Sequence, residues 1–118
     1  MFGDVISDLT STFQGGLGIA PSAEVGDRYG MFRPIHGSAP KYYGKNVANP
    51  MATILSAKMM LDWIAQKHND PAAKKAADLI DKAVDEVITE AKIITYDLGG
   101  KAKTSEVGDE IARKIRSY

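Results

Sequence analysis

Lys41, Tyr42 and Tyr43 stand at the middle of His36-Gly-Ser-Ala-Pro-Lys-Tyr-Tyr-Gly-Lys-Asn-Val-Ala-Asn-Pro50, a segment rich in backbone-permissive residues. Such a segment can wrap closely around a ligand and present amides, a lysine and two phenols to it. A lysine beside phenols binds a phosphate monoester through charge-assisted hydrogen bonds, and an aromatic face receives a base. A plain surface loop with ordinary lysines at 41 and 45 uses the same residues, and composition leaves the two readings level. A second constellation is Asp4 and Asp8, four apart on an apolar-periodic stretch. At that spacing both carboxylates project from one helix face and repel each other unless a cation lies between them. Mg²⁺ or Mn²⁺ would take one oxygen from each and fill its remaining positions with water and substrate. Two solvated acids near a helix N-terminus, favoured there by the macrodipole, are the competing reading.

Other motifs carry less. Gly15-Gly16-Leu17-Gly18 has the look of a phosphate loop, but no Gly-Lys-Ser/Thr follows and the third dinucleotide glycine is missing. These glycines are read as a tight helix-to-strand connection. His36 and Ser38 do not form a triad, because no partner acid can be placed and the serine is on no nucleophile elbow. The chain has no cysteine, which removes disulfides, thiol catalysis and thiolate metal sites together. His36 and His68, its two histidines, are too far apart in sequence for a structural zinc site. Fifteen basic residues balance fifteen acidic ones, so no global field favours nucleic acid or an anionic membrane, and any phosphate recognition must be local. No run has the length of a membrane span and no leader pattern opens the chain, so the expectation is a cytoplasmic protein.

The elements that must position these residues follow from the apolar pattern. Val5, Ile6, Leu9 and Phe13 recur at helical spacing, and Gly15-Gly16 stops that helix. Leu17–Ala20 with Pro21 reads as a short strand into a loop, and Met31–Ile35 as a second strand feeding the glycine-rich segment. Asn49-Pro50 starts a helix over about Pro50–Lys67, apolar around most of its circumference and so in need of cover on more than one side. Asp70-Pro71 repeats the start signal for a helix to about Lys92, burying Ala73, Ala77, Ile80, Val84, Val87 and Ala91. Its other face carries Lys74, Asp78, Asp81, Lys82, Asp85 and Glu86 and is read as solvated. Ile93–Tyr96 reads as a third short strand, Gly99-Gly100 as a turn, and Thr104 to about Arg116 as a final helix on Val107, Ile111 and Ile115. Alternating strands and helices make the fold class α/β, with few short strands and about four helices. Apolar surface is plentiful and sheet is scarce, as in a part of something larger.

Taken together, Phe2-Gly3-Asp4-Val5-Ile6-Ser7-Asp8, Gly15–Ser22, His36–Pro50 and Asp97-Leu98-Gly99-Gly100 resemble the β-decarboxylating dehydrogenases, the family of 3-isopropylmalate, isocitrate, homoisocitrate and tartrate dehydrogenases. The motifs occur in family order across nearly the whole chain, and they match only the C-terminal part of a family member. The resemblance implies a two-domain homodimer that oxidises a 2-hydroxy acid with NAD⁺ or NADP⁺ and then decarboxylates the product with Mg²⁺ or Mn²⁺. It assigns residues 1–14 to a helix of the metal-binding and dimerisation domain, and residues 15–118 to the nucleotide-binding domain. Asp4 and Asp8 match the metal aspartates. His36, Gly37, Ser38, Ala39, Val47, Ala48 and Asn49 match the loop around the adenosine half of the dinucleotide, and Asp97 a residue near the adenine. Where NAD-using members place an aspartate after His-Gly-Ser-Ala-Pro, this chain has Lys41 followed by Tyr42, as NADP-dependent isocitrate dehydrogenases do at the 2′-phosphate. Tyr96 matches a tyrosine of the same group. The arginine which that group adds a few residues later falls near Gly100, so the clamp is incomplete unless Lys101 or Lys103 serves. The resemblance thus implies NADP over NAD.

His-Gly-Ser and Asp-Leu-Gly-Gly lean towards isopropylmalate as substrate, Lys-Tyr and Thr-Tyr-Asp towards isocitrate. The family's substrate arginines, its catalytic tyrosine and lysine, and a further metal aspartate belong to a portion outside this chain. Met1 falls inside the metal motif, so the expectation is a fragment: an internal-start product, a proteolytic remnant or a deliberate piece. It should show no turnover alone, and should associate with further copies or with the missing N-terminal part. The reading from another class is a non-catalytic α/β interaction or scaffold piece that retains family sequence.

Overall fold

The computed structural model describes residues 16–118, and the helix expected over 1–14, with Asp4 and Asp8, lies outside them. The described chain opens with an antiparallel hairpin of β1 (Pro21–Val25) and β2 (Gly30–Pro34), in a register that sets Ala23 against Phe32 and Val25 against Gly30. Three helices follow: α1 (Met51–His68), α2 (Pro71–Glu90) and α3 (Thr104–Ser117). Single 3₁₀ turns occupy Pro40–Tyr42 and Tyr96–Leu98. The class is α/β, as expected, with one two-stranded sheet among the described residues.

Two of the expected strands are corrected. Leu17–Ile19 is a turn rather than a strand, since Gly16 takes φ +98° and its carbonyl accepts the amides of both Ile19 and Ala20. The strand starts at Pro21, a place where the missing N–H of proline does no harm. Its sequence, Pro-Ser-Ala-Glu-Val, has too little apolar alternation to be read as a strand. Ile93–Tyr96 is not a strand either. The segment folds back on itself, with Ala102 N–H donating to the Ile94 carbonyl and Gly100 N–H to that of Thr95. Its β-branched residues are spent on burial instead: Thr95 is fully buried, and Ile93 and Ile94 pack on the core.

The helix starts were legible. Asp70 caps α2 by accepting the amides of Ala72 and Ala73. Asn49 Oδ1 accepts Met51 N–H at the head of α1, where Pro50 itself precedes the first helical residue. α2 ends at Glu90, with Ala91 in the left-handed region at φ +53° and exposed rather than buried. The core lies where the three helices meet, on Ile19, Met51, Val84, Val87, Val107 and Ile111. Burying each of these side chains contributes about 1.5–3 kcal/mol before ordering costs. α1 is covered on two sides, by α2 and by the hairpin, where the Phe32 ring meets Trp63 at 5.9 Å between centroids. Lys67 lies over the Trp63 ring and donates to the carbonyls of Asp27 and Arg28, tying the hairpin tip to the end of α1.

No described helix is long and apolar enough to cross a membrane.

Candidate functional site

The turn at Leu17–Ile19, the segment after β2, the head of α1 and the 3₁₀ turn at Tyr96–Leu98 converge on one cleft of about 470 Å³. Cavities of roughly 300–1,000 Å³ are the range in which small ligands are held. Of the residues that the sequence singled out, His36, Gly37, Ser38, Ala39, Tyr42, Ala48, Asn49, Tyr96 and Asp97 line it together. Lys41 and Val47 do not. Lys41 is exposed beside the mouth, its ammonium 5.9 Å from the centre of the Tyr42 ring, and Val47, half-buried, falls in sequence between the lining residues Tyr42 and Ala48. The same loop, with Pro40 and Tyr43, also lines an adjoining apolar hollow.

The floor of the cleft is a polar pair. Asn49 Nδ2 donates to Asp97 Oδ2 at 3.0 Å, while the other amide atom of Asn49 is committed to Met51 N–H. The second oxygen of Asp97 accepts from the buried Thr95 hydroxyl in a short hydrogen bond. Both side chains are therefore fixed in orientation by partners on two different elements, the condition for reading a ligand reproducibly. Gly18 belongs to this floor: a Cβ there would run into Asp97 Oδ2 and come within 3.2 Å of Asn49 Cβ. Its carbonyl accepts the amide of Ala52, which locks the turn to the first residues of α1.

At the mouth the Tyr42 and Tyr96 rings meet at 5.8 Å between centroids, tilted by 43°. The Tyr96 phenol is held above the ordinary tyrosine value, first by its neighbour Tyr42, then by desolvation and by the charge on Asp97. It thus remains a neutral hydrogen-bond donor across the neutral range. His36 Nδ1–H donates to the Gly37 carbonyl at 2.9 Å, which keeps its ring close to the loop backbone.

Leu17, Gly18, Ile35 and the supporting Thr95 were not singled out as site residues in the sequence. The sequence marks Gly18 only as a connection, and nothing local shows it facing a residue 79 positions later; only the pairing of Asn49 with Asp97 in space reveals it. Gly100 is a separate finding. A Cβ at this position would strike the Ile94 carbonyl, so the local backbone excludes an arginine there in this conformation.

Among the described residues, no three histidine or acidic side chains come together as a metal site would need, and Asp4 and Asp8 lie outside those residues. The charged face of α2 forms an open groove of Asp78, Asp81, Lys82, Asp85 and Glu86, in keeping with a solvated surface.

Residues 1–111 match the family model of isocitrate/isopropylmalate dehydrogenase. The chain belongs to this family. It is 50% identical over 116 residues to the homoisocitrate dehydrogenase of Methanocaldococcus jannaschii, covering 98% of this chain and 31% of that protein. It is 44% identical to the NADP isocitrate dehydrogenase of Thermus thermophilus, covering 98% of this chain and 22% of that one. In three dimensions it is similar to the isocitrate dehydrogenase of Methylococcus capsulatus, with a TM-score of 0.88, 36% identity, and coverage of 98% of this chain and 33% of that structure. The α/β arrangement described above is thus part of the isocitrate/isopropylmalate dehydrogenase fold, and the chain spans about a third or less of the length of these relatives. Members of the family are decarboxylating dehydrogenases.

Proposed function

We propose that this chain is the adenosine-binding and metal-binding portion of a β-decarboxylating dehydrogenase that acts on a 2-hydroxy acid of the isopropylmalate or isocitrate type. The observation that carries the reading is the convergence of His36–Ala39, Tyr42, Ala48, Asn49, Tyr96 and Asp97 on one cleft of a size to take an adenosine. The residues fit that group: two phenol rings at the mouth for a base or ribose to lie against, and an oriented amide–carboxylate pair at the floor for polar edges. NADP is the preferred dinucleotide, because Lys41 stands beside Tyr42 at the mouth, where a cation favours a 2′-phosphate. NAD remains the alternative cofactor. Asp4 and Asp8 are proposed to hold Mg²⁺ or Mn²⁺ on the strength of the Phe2–Asp8 motif; a bound ion there supplies Lewis-acid stabilisation of substrate oxygens.

Catalysis in this reading takes place in the cytoplasm and in the company of the rest of a longer protein, in a homo-oligomer. The isolated chain binds nucleotide without turning substrate over, since the catalytic tyrosine and lysine and the substrate arginines belong to the other portion.

Titration of the purified chain with NADPH and NADH, followed by nicotinamide fluorescence, tests the proposal. Saturable binding with NADPH tighter is expected. Lys41→Ala should weaken NADPH roughly tenfold or more, the worth of one charge-assisted contact, and leave NADH nearly unchanged. Equal binding of the two nucleotides would remove the NADP preference and keep the site. Binding of neither would sink the adenosine reading and leave the non-catalytic scaffold.

A further inference from the structure

The head of α3 lacks a cap of its own. Lys103 precedes the first helical residue, and a lysine side chain has no acceptor to offer the free amides of the first turn. The Glu106 carboxylate reaches back to Lys103 N–H at 2.7 Å, but the next two amides turn elsewhere. Thr104 N–H donates to the Asn46 main-chain carbonyl at 2.9 Å, and Ser105 N–H donates to Asn46 Oδ1 at 3.1 Å. The Asn46 amide group then donates to Ser105 Oγ at 2.9 Å, and the Thr104 hydroxyl donates to the Ala48 carbonyl. A residue 59 positions upstream therefore supplies what an N-cap asparagine ordinarily supplies from the adjacent position.

Asn46 suits this duty twice over. Its φ of +56° lies in the left-handed region, which asparagine enters at less cost than most side chains, and its short amide both accepts and donates. Gly44, two residues earlier, is also left-handed, so the backbone from Gly44 to Asn46 reverses its course just before Ala48 and Asn49 enter the cleft. Asn46 itself does not line the cleft. Apart from the Tyr42–Tyr96 contact, the bonds that carry the 40–48 loop to another element among the described residues end on Thr104 and Ser105. The element they end on is firm: Val107 and Ile111 are buried in the core, and Lys114, also buried, pairs with Glu86 and Glu90 of α2.

We infer that Asn46 is a positioning residue that caps α3 from the adenosine loop and, by fixing the loop to that helix, sets the geometry in which Ala48 and Asn49 meet the nucleotide. The inference rests on the adenosine reading above for its ligand, but the tie between loop and helix is independent of it. Removing the side chain while keeping the backbone conformation, by Asn46→Gly, takes away two of the four bonds to α3 and loosens the loop; Asn46→Asp keeps an acceptor for Ser105 N–H and tolerates the left-handed backbone. Because capping also contributes to stability, affinity must be read at a temperature where every variant is fully folded by circular dichroism.

The experiment pairs calorimetric titration with 2′,5′-ADP, the phosphorylated adenosine half alone, with amide exchange of Tyr43 and Lys45 followed by NMR. For Asn46→Gly, about fivefold weaker 2′,5′-ADP binding and about fivefold faster exchange of those two amides are expected, with exchange in α1 and α2 unchanged. Asn46→Asp should stay within about twofold of the parent in both. Thr104→Val, which removes only the hydroxyl bonded to Ala48, is the second variant should Asn46→Gly fail to fold, and the same direction is expected. Unchanged loop exchange overturns the cap. Faster exchange with unchanged affinity overturns the positioning role while leaving the cap. If the parent chain takes no 2′,5′-ADP, the adenosine reading and the positioning role fall together, and the exchange data still decide the cap.

Discussion

Gly18 has no side chain because Asp97 and Asn49 fill the space where one would go. The closeness is functional in the sense that it brings the 17–19 turn against the polar floor of the cleft, and it has a measurable cost when disturbed. Gly18→Ala places a methyl group against a carboxylate oxygen that already accepts from Asn49, so either the turn or the Asn49–Asp97 bond must yield. Forced overpacking of this kind costs about 1–3 kcal/mol. A drop of that size in urea unfolding, accompanied by weaker dinucleotide binding, is the expected outcome; full stability would show that the floor is slack. At the same scale, Lys41 and Tyr96 carry different duties. The lysine is a solvated point charge at the rim, whereas the phenol is kept protonated by Tyr42 and by the neighbouring carboxylate.

Among the elements, the contact between α2 and α3 depends on charge as well as packing. Lys114 of α3 is buried, and its ammonium reaches Glu90 at 2.7 Å, Glu86 at 3.4 Å and Glu110 at 3.9 Å. Its pKa is raised above 10.5, first by the hydrogen bond to Glu90. Glu86 is lowered, first by Tyr118, and Glu110 is lowered, first by Arg113. The signs then set the window. Glu86 and Glu110 contribute stability that is complete above the unfolded glutamate value, roughly 4.3, and is lost as the pH falls through their lowered folded values. The lysine contributes stability that is complete below its unfolded value and is lost as the pH rises through its raised folded value. Urea midpoints should therefore stay level between these limits and fall on both sides. Lys114→Met should make both limbs shallower, the alkaline one keeping what Lys58 and Lys74, also raised, contribute, and an unaltered profile would show that the pairing carries no stability. Elements of this kind were only partly legible in the chain. The helix starts announced themselves through Asn49-Pro50 and Asp70-Pro71, since capping chemistry is local. β1 was hidden because Ser22, Ala23 and Glu24 alternate too weakly, and Ile93–Tyr96 looked like a strand because β-branched residues suit a buried bend as well as a sheet. The loop from His36 to Asn49 was readable as a motif. The part of Gly18 in the floor and the support of the loop were not, because Gly18, Thr104 and Ser105 matter only through partners far away in sequence.

At the scale of the molecule, the described residues form one helical core with a hairpin laid over α1, and Leu17, Val25, Tyr29 and Met31 stay exposed around that hairpin. A two-stranded sheet with apolar side chains facing outward suits a chain that spans about a third of its relatives' length. The long-range ties at the cleft have a further consequence, one of timing. α1 and α2 are consecutive helices separated only by Asn69 and Asp70, so they can pair after closing a very short loop. The cleft instead needs Asn49 to find Asp97, 48 residues on, and Asn46 to find Ser105, 59 residues on. Loop-closure entropy delays such contacts until the local ones have formed. The cleft is thus expected to be the last part of the described chain to assemble and the first to come apart. In stopped-flow measurements Asn46→Gly should speed unfolding and leave the folding rate nearly unchanged, whereas substitutions at the α1–α2 contact should slow folding. During synthesis the helical pair can stand complete while the cleft waits for α3 to leave the ribosome.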